Sequence, residues 1–330
     1  MKSLRIIGTG SCLPERVVGN SEVAAPLGIS AEQIERLTGI RERRWAAEGQ
    51  ASSDLAIDAG RKALDAAGCQ ASSVDAVILS TTSPDMAFPS TACFVQRGLG
   101  CRGVGAFDVS ASCSGFLYGL SMADAMVRSG QVTTCLVVAA EVKSRFLDPA
   151  DESTAVLFGD GAGAVVVRGE DDGTPKRRGL LGIRLYADGS KHDLIRVPAG
   201  GSRRPASAET VEKNEHVLRM RGASLFRIAV RRLEQAVQDI LKEFGIGIEE
   251  VGQVVLHQAN GRILSQVAGR LGVPAERLTS VIERYGNTSS ASLPIAMDAA
   301  VRDGKIASGD LVLLGSFGGG LTWATGLVRW

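Results

Sequence analysis

The chain repeats itself at long range, and this repeat restricts the fold more than any other feature of the sequence. A segment that starts at Ser112 parallels one that starts at Gly286, each with a turn of small residues, a helix ending in Arg-x-Gly and an apolar strand. The arginines that end the two helices, Arg128 and Arg302, lie 174 positions apart. Self-similarity on this scale predicts a duplicated supersecondary unit.

A second pair of elements supports the duplication. The apolar runs at residues 76–79 and Gln253–Leu256 are typical of buried strands and begin 177 positions apart, each after a predicted helix. We therefore expect two α/β halves, residues 1–172 and 173–330, that share one core. The boundary falls in the charged, turn-rich stretch 169–178, and the polar stretch 200–215 is expected to form a surface excursion.

Composition narrows the class of protein. The 37 basic and 36 acidic residues give a net charge of +1, so no strong overall field favours nucleic acid. No apolar run approaches the roughly 20 residues of a membrane span, and the first residues lack a secretory signal core. Six cysteines without a CxxC pair suggest reduced thiols, and three scattered histidines give little support to a metal site. A cytoplasmic protein without a metal is expected.

Cys113 is the strongest candidate for a reactive residue. The predicted strand Gly105–Val109 passes through a short turn into a helix at this cysteine. The unpaired N–H groups and the dipole at a helix N-terminus favour the thiolate, which is the nucleophilic form. A buried, inert cysteine is the alternative, and we assign that role to the other five.

Two residues of the second half complete a candidate set. His257 follows the strand Gln253–Leu256, where ligands gather in parallel sheets, although a buried structural histidine is the alternative. Asn287, 174 positions after Cys113, is expected at the matching helix start, where it would otherwise be an ordinary N-cap. Cys113, His257 and Asn287 should face one another across the pseudo-twofold axis and suit thioester chemistry that passes through an oxyanion and an enolate.

Three glycine-containing motifs are less specific indicators of function. The glycines of residues 317–320, placed after the last predicted strand, would let backbone approach a substrate or simply form a tight turn. Gly8 and Gly10 follow the first predicted strand, but Pro14 interrupts the helix that a dinucleotide site requires. The run around Asp160 precedes a strand, so we interpret it as close packing with a buried structural carboxylate.

Motifs along the whole chain resemble one known family, the β-ketoacyl-acyl-carrier-protein synthase III enzymes of the thiolase superfamily. The motifs, in order, are Ile6-Ile-Gly-Thr-Gly-Ser, Thr38-Gly-Ile-Arg-Glu-Arg, Ala87-Phe-Pro-Ser, Cys113-Ser-Gly-Phe, Phe158-Gly-Asp-Gly-Ala-Gly, His257-Gln-Ala-Asn, Gly286-Asn-Thr-Ser and the terminal Phe317-Gly-Gly-Gly with Leu-Val-Arg-Trp. The resemblance implies a thiolase-like α/β fold with duplicated halves in five αβαβα layers, and a homodimer.

The resemblance also implies a ping-pong mechanism. Cys113 would accept an acyl group while its own N–H and that of Gly319 stabilise the oxyanion. His257, neutral and donating, and Asn287 would then hold the malonyl thioester during decarboxylation. The family's substrate-pocket positions match Thr38, Phe88, Met220 and Phe317, with Phe88 reaching into the partner's acyl pocket.

Partners and substrates follow from the same resemblance. The carrier-docking positions match Arg227, Arg262 and Arg270, which would bind an acidic acyl carrier protein, and coenzyme A and carrier thioesters are substrates with no cofactor required. At the positions where many relatives bind the adenine of coenzyme A, this chain has Gln33, Leu37 and Glu152. The sequence therefore leaves open whether the acyl donor is carried by coenzyme A or by a carrier protein.

Initiation of fatty acid or polyketide-like chains is the leading expectation. The alternatives are a related acyltransferase that acylates an alcohol or amine, a plain cysteine hydrolase, and a non-catalytic thiolase-like protein that only binds carriers. Acyl length, branching and pathway are not readable from the motifs.

Overall fold

The computed structural model describes residues 2–171 and 178–330. The strands are β1 Ser3–Cys12, β2 Arg16–Gly19, β3 Glu42–Trp45, β4 Ala76–Ser80, β5 Gly105–Val109, β6 Thr134–Glu141, β7 Gly161–Glu170, β8 Gly179–Ala187, β9 Ile195–Arg196, β10 Arg219–Met220, β11 Gln253–Leu256, β12 Leu278–Thr279, β13 Leu311–Gly318 and β14 Thr322–Arg329. The helices are α1 Asn20–Ala24, α2 Ala31–Thr38, α3 Ser52–Ala66, α4 Thr91–Leu99, α5 Gly115–Arg128, α6 Glu152–Ala155, α7 Ala208–Glu212, α8 Gly222–Phe244, α9 Gly261–Leu271, α10 Ile282–Tyr285 and α11 Ser292–Arg302.

Two five-stranded sheets have the same topology. The first has the order β1-β7-β6-β4-β5 and the second the order β8-β14-β13-β11-β12. In each sheet the strand pairs are antiparallel on one side, β1–β7–β6 and β8–β14–β13, and parallel on the other. The duplicated α/β unit predicted from the sequence is therefore confirmed.

Burial on both faces of each sheet produces the layers. β6 is buried at every position, because alternate side chains enter different cores. One core lies between the first sheet and α3 and α4, a second surrounds α5 and α11 between the sheets, and a third lies between the second sheet and α8 and α9. The result is the five-layered αβαβα arrangement, with the two halves sharing the central core.

The strands β4 and β6 and the start of α5 repeat in the second half at an offset of 177 positions. The sequence prediction that Asn287 matches Cys113 was therefore wrong. The first residues of α5 and α11, Gly115 and Ser292, lie 177 positions apart, and the first residues of β6 and β13 are separated by the same distance. The 174-position offset holds only at the helix ends, because α11 is three residues shorter than α5. Cys113 is therefore equivalent to Ser290, and Asn287 lies three residues before the matching position.

Glycines in β1 allow close packing. Gly8 and Gly10 lie inside β1 rather than after it, and a Cβ at Gly8 would come within 2.4 Å of the Ala63 carbonyl oxygen on α3. Similarly, the run 317–320 does not follow the last strand, because its first two residues end β13 and its last two lie in the turn to the final strand β14.

The remaining predictions concern boundaries and surfaces. The division between residues 172 and 173 lies outside the described residues. Most of the stretch 200–215 is exposed, as expected, and contains the short helix α7. None of the helices among the described residues has the length and apolar character needed to cross a bilayer.

Candidate active site

A cavity of about 780 Å³ brings together Cys113, His257 and Asn287. Cys113 comes from the first half, whereas His257 and Asn287 come from the second. Much of the remaining wall is apolar and comes from α8 and from the segment 156–158 after α6. The convergence expected from the sequence is therefore present.

Cys113 lies in a 3-10 turn, Ser112–Ser114, that leads directly into α5. The thiol is buried, with 7% of the residue exposed, and its sulfur lies 3.6 Å from the Ser289 hydroxyl. Behind it, a Cβ at Gly318 would come within 2.6 Å of the Cys113 backbone nitrogen. Only glycine therefore allows β13 to approach the cysteine this closely.

The pKa of Cys113 is shifted in the direction opposite to the one expected from its position at a helix N-terminus. Burial raises the pKa of the Cys113 thiol, whereas the hydrogen bond to Ser289 acts in the opposite direction. Because the pKa lies above its ordinary value, the free protein holds a thiol rather than a thiolate at neutral pH.

His257 is a neutral hydrogen-bond donor. Burial lowers the pKa of His257 from 6.5 to about 3, so the ring is uncharged at neutral pH. Nδ1 lies 2.5 Å from the Ser292 hydroxyl, whose oxygen also accepts the Gln258 N–H. If that hydroxyl donates to Nδ1, every group is satisfied, and Nε2 carries the proton.

Asn287 is held by backbone pairing with the segment after α6. Its N–H donates to the Leu157 carbonyl at 2.8 Å, and its carbonyl accepts the Gly159 N–H at 3.1 Å. The side-chain Oδ1 accepts the Ser289 N–H, so the Nδ2 group is turned toward Ala259 at the cavity wall. This arrangement leaves an N–H of the amide for a ligand in the cavity.

The predicted oxyanion donor Gly319 has a partner in the free protein. Its N–H donates to the Ser112 hydroxyl at 3.2 Å. A thioester oxygen would have to replace this hydroxyl as the acceptor. Gly319 lines the cavity together with Cys113, as the oxyanion expectation requires.

Three of the four predicted pocket residues line the cavity, namely Thr38, Met220 and Phe317. Phe88 does not, because its side chain is 85% exposed on the segment between β4 and α4. At the cavity, Leu37 and Glu152 line the wall, whereas Gln33 is not among the lining residues.

The three predicted docking arginines lie on neighbouring helices. Arg262 lines the cavity and stacks over Phe226, and Arg270 pairs with Glu234 at 2.9 Å. Both contacts join residues 36 positions apart, so α8 and α9 run side by side in the same direction. Arg227 adjoins Phe226 on α8 and borders a separate shallow depression.

Sequence reasoning missed the polar residues beneath the nucleophile. Glu141 is completely buried at the end of β6 and pairs with Lys143 at 3.1 Å. Burial acts to raise the pKa of Glu141, but Lys143 and several hydroxyl donors outweigh it, so this pKa lies below its ordinary value. The sequence did contain a signal for Glu141. This residue ends a strand of the first sheet, just as His257 directly follows a strand of the second sheet.

Asp160 is the buried structural carboxylate that the sequence predicted. It accepts the Ala46 N–H and the Ser144 N–H, both at 2.8 Å. Within residues 2–171 and 178–330, no three His, Cys, Asp or Glu side chains are grouped as a metal site would require.

Family models match two parts of the chain. The model described as 3-oxoacyl-[acyl-carrier-protein] synthase III matches residues 107–189, and the model of its C-terminal part matches residues 241–330. The first match contains Cys113, and the second contains His257 and Asn287.

Curated relatives and solved structures match over nearly the full length. The β-ketoacyl-[acyl-carrier-protein] synthase III of Rhizorhabdus wittichii is 47% identical over 330 residues and covers 100% of both chains. The enzyme of the same name from Novosphingobium aromaticivorans is 48% identical over 326 residues, covering 98% of each. The crystal structure of 3-oxoacyl-[acyl-carrier-protein] synthase III from Aquifex aeolicus VF5 has a TM-score of 0.90 at 41% identity, covering 99% of this chain and 100% of that one.

Proposed function

Because the chain belongs to the 3-oxoacyl-[acyl-carrier-protein] synthase III family, we propose that it catalyses the decarboxylative condensation of an acyl thioester with malonyl-carrier protein. The observation that carries the proposal is the shared cavity of Cys113, His257 and Asn287. A nucleophile and two neutral donors in one apolar cavity suit a reaction that forms an oxyanion and then an enolate. The product is a β-ketoacyl-carrier protein, the first intermediate of fatty acid synthesis.

The first half-reaction transfers the acyl group to Cys113. The sulfur attacks the thioester carbonyl, the Cys113 and Gly319 N–H groups receive the oxyanion, and the departing thiol takes the proton of Cys113. Because Gly319 donates to Ser112 in the free protein, the substrate oxygen exchanges one acceptor for another. The N–H therefore does not have to be left unpaired before substrate binds.

The second half-reaction forms the carbon–carbon bond. The carbon–carboxylate bond of the malonyl group breaks, carbon dioxide leaves, and the electron pair becomes a thioester enolate. His257 Nε2–H and the Asn287 amide stabilise the charged oxygen, because neutral donors are strong partners for a developing anion in an apolar cavity. The enolate carbon then attacks the acyl-cysteine, and Cys113 leaves as a thiolate that takes a proton from solvent.

Intact-protein mass spectrometry tests these roles with acyl-coenzyme A and acyl-carrier thioesters as donors. Cys113→Ala should gain no acyl mass from any donor. Asn287→Ala should acylate at nearly the wild-type rate but release carbon dioxide from malonyl-carrier protein about 100- to 1,000-fold more slowly. Equal loss of acylation in both variants would contradict the separate roles.

The same experiment addresses the other functions open from the sequence and the identity of the donor. Carbon dioxide release with a two-carbon extension indicates condensation, whereas an unextended ester or amide indicates acyl transfer, and free acid indicates hydrolysis. Failure of wild-type Cys113 to acquire mass would indicate a binding protein. The rates with the two donor types measure whether coenzyme A is used despite Leu37 and Glu152 at the cavity.

An acyl carrier protein is the proposed partner, and Arg227, Arg262 and Arg270 are its proposed contacts. They lie on α8 and α9, which run together from the cavity, so a carrier on this face could extend its arm inward. Positive charge there complements an acidic carrier and raises the association rate. Arg270 contributes least, since Glu234 partly neutralises it.

Charge reversal tests this surface. Arg262→Glu and Arg227→Glu should raise the KM for malonyl-carrier protein, because repulsion replaces attraction, and should weaken the dependence of KM on salt. Acylation by a short synthetic thioester that lacks a carrier should change little in Arg227→Glu. Arg61→Glu on α3 is the matched control, since Arg61 is exposed and outside both helices. An equal KM effect in the control would contradict the assigned surface.

We further propose a homodimer in the cytoplasm. The outer edge of β5 has no strand partner in the part of the chain that the structure describes, which supports pairing with a second copy. The six cysteines are all free, which supports a reducing compartment.

A further inference from the structure

Two serines in a strained backbone conformation lie beside the nucleophile. Ser112 and Ser289 have φ values of 51° and 53°, and they occupy equivalent positions in the two halves, 177 residues apart. A residue with a Cβ in this left-handed region costs about 1–2 kcal/mol. Such strain is retained where the surroundings require one particular geometry.

Ser289 is the bridge between the nucleophile and a buried charge. Its hydroxyl lies 3.6 Å from the Cys113 sulfur and donates to Glu141 Oε1 at 3.2 Å. Both contacts are buried, and they connect parts of the chain separated by more than 140 positions. The hydroxyl has one hydrogen and two neighbouring acceptors.

Glu141 has no role in the proposed condensation, yet it is completely buried. It is held by Lys143 at 3.1 Å, by the Ser83 hydroxyl at 2.6 Å and by the Ser290 hydroxyl at 2.8 Å. Burying an ion pair is costly unless further hydrogen bonds satisfy it, as they do here. Glu141 therefore remains a charged acceptor at a constant position beneath Cys113.

We propose that Ser289 is a positioning residue whose hydroxyl donates to Glu141 while Cys113 is a thiol and turns to the sulfur whenever Cys113 is a thiolate. In the first state the thiol hydrogen points at Ser289 Oγ. In the second state, which each condensation produces when the acyl group leaves, the single hydroxyl hydrogen stabilises the sulfur anion. No proton is exchanged between Cys113 and Glu141, whose remaining donors hold its charge.

The charged and titratable groups near the sulfur determine the direction of each effect. Glu141 and Lys143 approach from the end of β6, and neutral His257 approaches across the cavity. The hydroxyl of Ser289 and the positive charge of Lys143 lower the pKa of Cys113, whereas the negative charge of Glu141 raises it. Removing Ser289 and neutralising Glu141 should therefore act in opposite directions.

The test is the pH dependence of Cys113 alkylation by iodoacetamide, followed by peptide mass spectrometry. The Ser289→Gly variant removes the hydroxyl and also relieves the strained backbone, so the protein should fold. Its alkylation midpoint should move to higher pH, with the rate at neutral pH about tenfold lower, because the thiolate loses one hydrogen bond. Glu141→Gln should move the midpoint to lower pH.

Two controls separate positioning from structural damage. Ser290→Ala removes a neighbouring hydroxyl that donates to Glu141, and it should shift the midpoint less than Ser289→Gly does. Alkylation of exposed Cys93 in the same samples should be unchanged. Midpoints that move in the same direction in Ser289→Gly and Glu141→Gln, or no movement in Ser289→Gly, would overturn the proposal.

The inference rests on the proposed function only in taking Cys113 as the nucleophile. Iodoacetamide reports the thiol without any acyl substrate, so the two proposals can fail separately. If wild-type protein forms no acyl-enzyme while the midpoints shift as expected, the condensation is wrong and the role of Ser289 is retained. If acylation occurs normally but the midpoints do not shift, the opposite holds.

Discussion

His257 is the residue whose protonation most affects the proposed chemistry. Its pKa of about 3 means that the ring is almost entirely neutral at pH 5 and above. A neutral ring donates from Nε2 without attracting the malonyl carboxylate, which must leave as carbon dioxide. This differs from a histidine that acts as a base near its ordinary pKa.

We therefore predict that carbon dioxide release from malonyl-carrier protein shows no ionisation of His257 between about pH 5 and about pH 8. The folded pKa is depressed, so protonation would begin only as the pH falls toward about 3. The measurement is a pH–rate profile of decarboxylation by enzyme already acylated at Cys113. An acidic limb near pH 6.5 that disappears in His257→Gln would show that the ring is charged during catalysis.

The sequence predicted individual site residues where strand ends and helix starts indicate them. Cys113 follows β5 in the first sheet and His257 follows β11 in the second, and the duplication predicts that these two strand ends meet across the pseudo-twofold axis. Ser289 was not predicted, because serines are common and its value here depends on contacts across 148 and 176 positions. Only packing in three dimensions reveals those contacts.

At the scale of elements, the central helices α5 and α11 are equivalent but unequal in length. A serine with positive φ lies three residues before the start of each helix. Each helix is followed by a glycine with positive φ, Gly130 after α5 and Gly304 after α11. The sequence comparison aligned the two helices at their ends, where the offset is 174, and it therefore paired Asn287 with Cys113. A deletion of nearly one turn inside a helix leaves both ends recognisable but changes the register between them.

The approach of α11 to the first sheet depends on Gly163 in β7. A Cβ there would come within 2.8 Å of the Ile295 backbone nitrogen. Gly163→Ala should lower the free energy of unfolding by about 1–3 kcal/mol, because backbone must move to admit the methyl group. Denaturant unfolding followed by circular dichroism measures this change.

Gly269 in α9 is the matched control, since no atom apart from its chain neighbours and the local helix backbone lies within 4 Å of its Cβ position. Gly269→Ala should raise the free energy of unfolding by about 0.5–1 kcal/mol, because alanine favours a helix interior. If the two substitutions had the same sign, close packing would not explain why β7 has glycine at position 163.

At the scale of the whole molecule, the two sheets have the same strand order, but their outer parallel strands differ in length. The outer strand of the second sheet, β12, has two residues, whereas its counterpart β5 has five. A longer open edge is better suited to pairing with another chain. The duplication was readable from the sequence, but this difference between the edges was not, because β12 is too short to give a periodic signal.

The exposed side chains near β5 strengthen the case for a dimer there. Phe88 is 85% exposed and Met86 is 47% exposed, both on the segment between β4 and α4. Large apolar side chains exposed together mark interaction sites more often than isolated ones do. The family resemblance implies that Phe88 of one chain would enter the acyl pocket of the other, and we propose that each active site is complete only in such a dimer.

We accordingly predict that Phe88→Asp weakens self-association without unfolding the chain. Each symmetric dimer buries two copies of Phe88, and a buried aromatic anchor contributes at least about 2 kcal/mol, so the dimer dissociation constant should rise about 1,000-fold or more. Sedimentation equilibrium over a range of concentrations measures it. Val211→Asp is the control, because Val211 is also exposed, at 67%, but lies on α7. Wild-type protein that stays monomeric at every concentration would contradict the dimer, and unchanged association in Phe88→Asp would place its interface elsewhere.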